Sequence, residues 1–454
     1  MTVINKKLIK EIDQYLHRLF PINRSITGPG NRESLHILQE IVPIEIKEYP
    51  SGLEVYDWVI PPEWRVRDAY IKNSKGVRLV DFQTSNIHLV SYSVPITKKM
   101  TFDELEPHLN IHQDLPDAIP YRTSYYKRDW GFSVTHDQFS ALQQEKGELE
   151  VVIDSELNDN GSLTVGELII HGETDKEILI SSYICHPSLA NDNLSGAVLT
   201  AFLARELIKG PKRHHSFRIV WVPETIGAIA YCAINEEVMK KIESGLVVTT
   251  VGGPGKFGYK QSFDNKHPIN KAIEATFKDE GCDFITYPFD IHGSDERQYS
   301  SQGFRINTAS ITKNKYYEYP YYHTSLDNLD YVKAEHITDT LLLHVKVINK
   351  FEDIQSSHIT NYSHLFYRNR YPNCEVMLSK HSLYPQIGGS IIPRIDEHDE
   401  LDLILWLLFL CDGTLSLHEV AKKLEVPEQS LLPVIEKLLD KKILEDVSFS
   451  TKTQ

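Results

Sequence analysis

The sequence predicts an α/β protein: a mostly parallel sheet sandwiched by helices, with an inserted mainly β segment and a C-terminal winged helix-turn-helix domain. Three observations predict it. Residues 163 to about 350 alternate apolar strand-like runs with amphipathic helical ones, the pattern of a parallel sheet covered on both faces. Residues 51–162 break that alternation with short β-like runs and frequent prolines and aromatics. The tail carries helical periods on either side of a turn at Val426-Pro427, the spacing of a helix-turn-helix. The expected domains are therefore 1–50 with 163–355, the insert 51–162, and 356–454 for the winged domain with its linker.

The elements follow in order. Leu8, Ile9, Ile12, Tyr15, Leu16 and Leu19 recur at helical spacing until Pro21. After the turn-rich stretch 25–31, a second helix is expected with Leu35, Leu38 and Ile41 on one face and Asn31 as its N-cap. Residues 24–30 read as a capped turn in preference to an anion-binding one. Within the insert, 87–94 reads as a strand, and 125–130 as either the insert's own core or a flap over a site. Strands are expected at 163–171, 177–185, 217–222 and 245–251, and helices at 195–208 and 229–239. An irregular segment, 363–389, precedes three short helices at 399–410, 417–424 and 428–439.

Composition narrows the function classes. The chain has 454 residues, 41% hydrophobic and 24% charged, ordinary for a soluble globular protein of two or three domains. Its 48 basic and 63 acidic side chains leave a formal charge of −15, which argues against a general affinity for nucleic acid or anionic membrane. The first residues enter a charged amphipathic stretch with no apolar h-region, so no signal peptide is expected. The longest apolar run, 403–411, is far shorter than the roughly 20 residues of a membrane span. Five scattered cysteines (Cys185, Cys232, Cys282, Cys374, Cys411) without a C-x-x-C read as reduced thiols of a cytoplasmic protein. Residues 396–454 hold 13 acidic and 6 basic side chains, and helix 428–439 has one base, Lys437. DNA recognition needs phosphate neutralisation first. The winged helix is therefore read as a protein-contact or homo-oligomer module, with the apolar stripe 403–408 supplying its core and an interface.

In an open parallel sheet, sites form beyond the carboxyl ends of strands. Strand 177–185 runs into a loop carrying His186 and Asp192, an imidazole and a carboxylate able to converge on one cation. Strand 217–222 ends at Glu224, placed to act as general base to a metal-bound water. His323 lies on a later loop before a helix, and 290–297 (Asp-Ile-His-Gly-Ser-Asp-Glu-Arg) is a dense polar turn. Alone, each of these reads as a solvated or hydrogen-bonded side chain. Their order at strand ends of one α/β domain points to a cation site.

That order resembles the zinc exopeptidases of the bacterial leucyl aminopeptidase and glutamate carboxypeptidase type. Asn191-Asp192-Asn193-Leu194-Ser195-Gly196 resembles their bridging-aspartate motif. Glu224-Thr225-Ile226-Gly227 resembles their Glu-Glu-x-Gly motif, and Tyr322-His323-Thr324 their late Tyr-His-(Thr/Ser) ligand motif. More closely, the whole chain resembles bacterial proteins that combine an aminopeptidase-like domain, an inserted β domain and a C-terminal winged helix. Some of these are labelled polysaccharide-biosynthesis proteins.

The resemblance implies His186, Asp192 and His323 as metal ligands and Glu224 as general base. It also exposes two departures. Thr225 stands where a second glutamate ligand is expected, and 245–253 lacks the expected aspartate. Two imidazoles and one carboxylate are the donor set of a single catalytic zinc with an open fourth position, so one Zn2+ is expected in preference to two. Asp295 is expected as a substitute ligand or as the partner of a histidine ring. Tyr322, Arg297 and His292 are the candidate oxyanion donors, and Asp295 or Glu296 the candidate partner of a substrate amine. The tyrosines at 316, 317, 319, 321 and 322 read as packing or as a pocket wall, and Cys185 as a small buried hydrophobe. The functional expectation is a zinc-dependent aminopeptidase-like hydrolase acting on a small peptide or amino-acid conjugate. The alternatives are an amide hydrolase or cyclase in polysaccharide biosynthesis, a binding or assembly protein on a peptidase frame, and a transcriptional regulator. The acidic tail weighs against the last of these.

Overall fold

The structure, a computed structural model, describes residues 6–359, 365–383 and 399–448. Part of the irregular segment expected at 363–389, and both chain ends, lie outside the described residues. The chain divides into two compact units at residue 352/353.

Eight strands form the central sheet of the first unit: β1 (Glu45–Pro50), β2 (Ser162–Ile170), β3 (Glu177–Tyr183), β4 (Ser216–Val222), β5 (Ser244–Val248), β6 (Phe257–Lys260), β7 (Phe284–Tyr287) and β8 (Asn307–Lys313). Their spatial order is β1-β2-β4-β3-β5-β8-β6-β7. The four central strands, β4-β3-β5-β8, are parallel, and β1, β2 and β6 pair antiparallel with their inner neighbours. From β3 the chain goes first to β4 on one side and then to β5 on the other. That reversal of winding opens a crevice at the carboxyl end of β3. β4 and β5 are buried at every position, as strands covered on both faces require. The helix Ser195–Lys209 is buried along almost its whole length against this sheet.

The insert leaves after β1 and returns at β2, two strands paired in register from Glu45↔Glu167 to Pro50↔Ser162. Its exit and entry are thus the two sides of one rung, so the sheet is not interrupted. The insert is built on a four-stranded antiparallel sheet with two short helices, Phe102–Leu105 and His136–Gln144. Its apolar side chains, among them Trp64, Val80 and Phe132, join those of β3 and β4 in one continuous core. Segment 87–94 is not the strand expected. Residues 87–93 are all buried, leaving no alternation of faces, and the chain makes a 3-10 turn at Asn86–His88 followed by isolated bridges.

The N-terminal helices, Lys6–Leu19 and Pro29–Leu38, lie where helical spacing placed them. Asn31 is not the N-cap. The second helix starts two residues earlier, at Pro29, which suits the first helical position. Asn31 is buried inside it and donates to the Ser25 carbonyl at 2.7 Å. The helical segment after β4 is split into Ile226–Ile234 and Glu236–Met239.

The second unit has a three-stranded antiparallel sheet and helices Glu400–Leu410, Leu417–Leu424 and Glu428–Asp440 around its own core. Ser416 and Glu419 form a capping box that starts the middle helix. Among the described residues, no helix is long and apolar enough to cross a membrane.

Gly28 precedes the second helix at φ +118°, and a Cβ there would stand 2.5 Å from the Trp64 carbonyl oxygen of the insert. Both the dihedral and the contact exclude a side chain. Gly28→Ala is expected to cost about 2–4 kcal/mol of stability, read as a lower urea midpoint. An unchanged midpoint would show that turn and insert are not in such close contact.

Candidate metal centre

The carboxyl edge of the four parallel strands gathers the site. Three residues beyond the end of β3, His186 is set by its backbone: its carbonyl and that of Pro187 accept Arg24 Nε and Nη2 at 2.9 and 3.0 Å. Arg24 is buried, and burial pushes its guanidinium down to about 10. It is a clamp on the histidine loop, a role the sequence reading of 24–30 did not contain.

Asp192 lies in the turn Ala190–Leu194 that feeds the helix Ser195–Lys209. Asn193 Nδ2 ties this turn to the Tyr183 and Val248 carbonyls at 3.2 Å each. From the other side Asp327 grips it. The Asp327 carboxylate accepts the Asn191 N–H at 2.7 Å, the Asp192 N–H at 3.0 Å and the Tyr319 hydroxyl at 2.9 Å. Burial pushes the Asp327 carboxyl up to about 7, against the pull of those backbone N–H groups. Sequence reasoning gave it no role, although it follows His323 by only four residues.

His323 takes a left-handed backbone conformation at φ +55°. The insert holds it there: the Tyr121 N–H donates to the His323 carbonyl at 2.8 Å, and the Ser325 N–H to that of Ile119 at 2.9 Å. The Tyr121 ring lies 5.2 Å from the His323 ring and 5.3 Å from that of His186. Tyr322 stacks on His323 with centroids 3.9 Å apart.

Three donors converge. Asp192 Oδ2 is 3.0 Å from His323 Nε2 and 3.9 Å from His186 Nε2. Among the described residues, His186, Asp192 and His323 form the group whose donor atoms all lie within 4.8 Å of one another. Donors on one tetrahedral zinc sit about 3.3 Å apart, given bonds of about 2.0–2.1 Å, so the spacing fits one shared cation. Asp192 Oδ2 and His323 Nε2 are buried, and neither makes a well-directed hydrogen bond to any protein atom. Native interiors seldom leave such atoms unmatched, and a cation would satisfy both.

The protonation states agree. Burial lowers the His186 imidazole to about 4 and so keeps its lone pair free. Burial pushes the Asp192 carboxyl up, but His186, His323 and the Tyr183 hydroxyl outweigh it and hold it at about 2. A neutral imidazole and an ionised carboxylate are the forms that bind metal.

Glu224 follows β4, with Oε2 3.9 Å from His186 Nε2. Ser294 Oγ donates to its Oε1 at 2.8 Å, and its backbone N–H rests on Cys185 Sγ at 3.2 Å. Burial and the charge of Asp192 raise its carboxyl to about 7.

The remaining residues singled out by sequence fall around this centre. Asp295 lies neither in the donor group nor against a histidine ring. Its Oδ1 accepts the Thr225 N–H at 2.8 Å and so fixes the backbone beside Glu224, where Thr225 has φ +64°. Glu296 is fully buried and bound to Lys260 Nζ at 3.0 Å, so its carboxylate is already matched. His292 and Arg297 belong to the turn that presents Ser294. The His292 N–H donates to Asp290 at 2.7 Å, and Arg297 Nε to the Ser294 carbonyl at 3.2 Å. Of the tyrosine cluster, Tyr316 and Tyr319 are buried and hydrogen-bonded to Glu296 and Asp327, whereas Tyr317 is exposed.

The sheet order and the strand-end loops define an aminopeptidase-like fold. Residues 13–353 match the family described as Domain of unknown function (DUF4910), and the chain belongs to that family. Residues 365–446 match a winged helix-turn-helix family. A Clostridium acetobutylicum protein named "Putative polysaccharide biosynthesis protein with aminopeptidase-like domain" is 42% identical over 413 residues, 91% of each chain. A solved "putative peptidase" from Clostridium acetobutylicum superposes with a TM-score of 0.73 at 38% identity, covering 98% of this chain and 99% of that one. BSAP, a zinc aminopeptidase from Bacillus subtilis, superposes with a TM-score of 0.55 at 13% identity, over 76% of this chain and 94% of its own. At that distance the likeness is one of fold.

Asp327→Asn tests the grip on the Asp192 turn. The substituted amide turns a donor toward backbone N–H groups that need acceptors. We expect a loss of about 1–3 kcal/mol in the metal-free protein, read by thermal melting. Zinc affinity should fall about 10- to 100-fold in chelator competition.

Proposed function

We propose that the protein is a zinc-dependent aminopeptidase-like hydrolase that cleaves an amide bond of a small peptide or amino-acid conjugate. The convergence of His186, Asp192 and His323, with two unmatched buried donor atoms, carries the reading. The aminopeptidase-like fold supports it. A zinc ion held by these three side chains supplies Lewis acidity toward a water and a substrate carbonyl.

The chain's own residues supply the rest. Glu224 receives the proton of the attacking water at Oε2 and returns it to the leaving amine. Ser294 anchors Oε1, so one carboxylate oxygen faces the reaction. Burial and the charge of Asp192 raise this carboxyl above the usual carboxylate range, which suits a group that takes and then returns a proton. Tyr121 and Tyr322 wall the site with aromatic rings. Arg297 and His292, on the turn that presents Ser294, are the candidate donors to the oxyanion.

A second reading is an amide hydrolase acting on an acylated or sugar-linked amino compound in polysaccharide biosynthesis. The name of the Clostridium acetobutylicum relative points to it. Of the carboxylates considered for a substrate ammonium, Glu296 is already held by Lys260, whereas Asp295 gives Oδ1 to the Thr225 N–H and keeps a buried Oδ2 without a hydrogen-bond partner. In the aminopeptidase reading the free amine would meet an acid, for which Asp295 Oδ2 remains; an N-acyl substrate needs none. For the second unit we propose a protein contact, not a nucleic-acid one, on the strength of its acidic balance.

Glu224→Gln is expected to lower kcat by about 10²–10⁴-fold with little change in KM, measured on aminoacyl-anilides and N-acyl amino sugars. A rate insensitive to this change would remove Glu224 from the chemistry.

The pH profile gives an independent check. Glu224 acts unprotonated, so kcat/KM rises with pH through its pKa. The Ser294 hydroxyl bond lowers that pKa. Ser294→Ala should therefore move the acid limb to higher pH. A limb that stays in place would indicate another base.

A further inference from the structure

We propose that this centre is built for a single divalent ion, and that Tyr183, backed by Thr249, enforces that number by occupying the face of Asp192 a second ion would need. The inference rests on the reading of His186, Asp192 and His323 as a metal site.

The two oxygens of Asp192 have different surroundings. Oδ2 faces His323 and His186 and lacks a hydrogen-bonding partner. Oδ1 is capped by the Tyr183 hydroxyl. That hydroxyl also lies 2.7 Å from Thr249 Oγ1. A pair of catalytic ions about 3.5–4 Å apart requires an oxygen donor shared between them or reaching to both. Here the carboxylate has one oxygen to give, because a phenol holds the other.

Tyr183 is not free to leave. It is the last residue of β3, paired with Val222 of β4, and only 2% exposed. Its ring lies 5.3 Å from that of His186. Thr249 directly follows β5 and is fully buried. It stands on the stretch from which the family resemblance expects an aspartate ligand, and its hydroxyl is turned to Tyr183. The other missing ligand position, Thr225, has its backbone committed to Asp295. A hydroxyl pair therefore fills the space on one side; on the other, Asp295 is held by its Oδ1 to the Thr225 N–H and is not among the converging donors.

Charge balance leads to the same number. One ligating carboxylate offsets part of one divalent charge. Two such ions in contact would repel strongly, and no second carboxylate is in the converging donor group. One ion on two imidazoles and one carboxylate keeps a fourth position for water.

The test is a cobalt titration of the metal-free full-length protein, followed by visible absorbance and by elemental analysis after gel filtration. Wild type should saturate at one ion per chain. Tyr183→Phe keeps the ring and removes the hydroxyl; the cobalt spectrum should change and affinity should shift about tenfold or more. Tyr183→Phe combined with Thr249→Asp should take up a second ion. Thr249→Val, a milder change, should also alter the cobalt spectrum and covers the case in which the phenylalanine variant does not fold. Wild type that binds two ions within about tenfold of each other in affinity would overturn the inference and leave the hydrolase reading standing. So would a Tyr183→Phe protein indistinguishable from wild type in spectrum and affinity. Wild type that binds no ion would remove the metal site itself, and the inference with it.

Discussion

One buried carboxylate organises the site. Asp192 is 1% exposed at the crevice beyond β3, where an unpaired charge costs several kcal/mol. The surrounding side chains are arranged to offset that cost: two imidazoles face one oxygen and a phenol faces the other. Its backbone is pinned separately, by Asp327 from the His323 loop and by Asn193 to β3 and β5. The split matters chemically. Backbone bonds fix where the carboxylate stands, which leaves its Oδ2 lone pairs free for a cation.

Around that charge the site is assembled from segments distant in the chain. Arg24 reaches from the N-terminal region to hold the His186 loop. The insert supplies Tyr121 and the backbone contacts that keep His323 in place. Lys260 and Glu296, both almost fully buried, stiffen the turn that brings Ser294 to Glu224. These are positioning contacts between elements rather than donors, and they explain how loops, ordinarily the mobile part of a fold, hold three donor atoms together.

Much of this was legible from residue order. The alternation of strands and helices gave the parallel centre, and strand ends carrying His186, Glu224 and His323 gave the candidate chemistry. What escaped was long-range. Tyr121 sits in a stretch rich in tyrosine, and nothing local distinguishes the one that touches both imidazoles. Asp327 looks like any polar loop residue until its partners, 135 and 136 positions away, are seen. Segment 87–94 departs from the expected strand because β-like composition also suits an irregular chain whose residues 87–93 are all buried. Glu296 is no free acid because Lys260 already matches it, a pairing that sequence does not reveal. Asn31 has the residue type of a cap, but the helix already starts at the proline of the Gly-Pro-Gly turn before it.

The ladder position of the insert has a consequence for how such a chain can change. Because Pro50 and Ser162 are rung partners, lengthening or trimming the excursion between them leaves the parent sheet intact. The excursion nevertheless supports the candidate site, since the His323 carbonyl accepts its Tyr121 N–H. Natural variation should therefore be free at the outer edge of this lobe and nearly absent along the few residues around Tyr121. The two lobes, though separable on paper, must be inherited as one instrument.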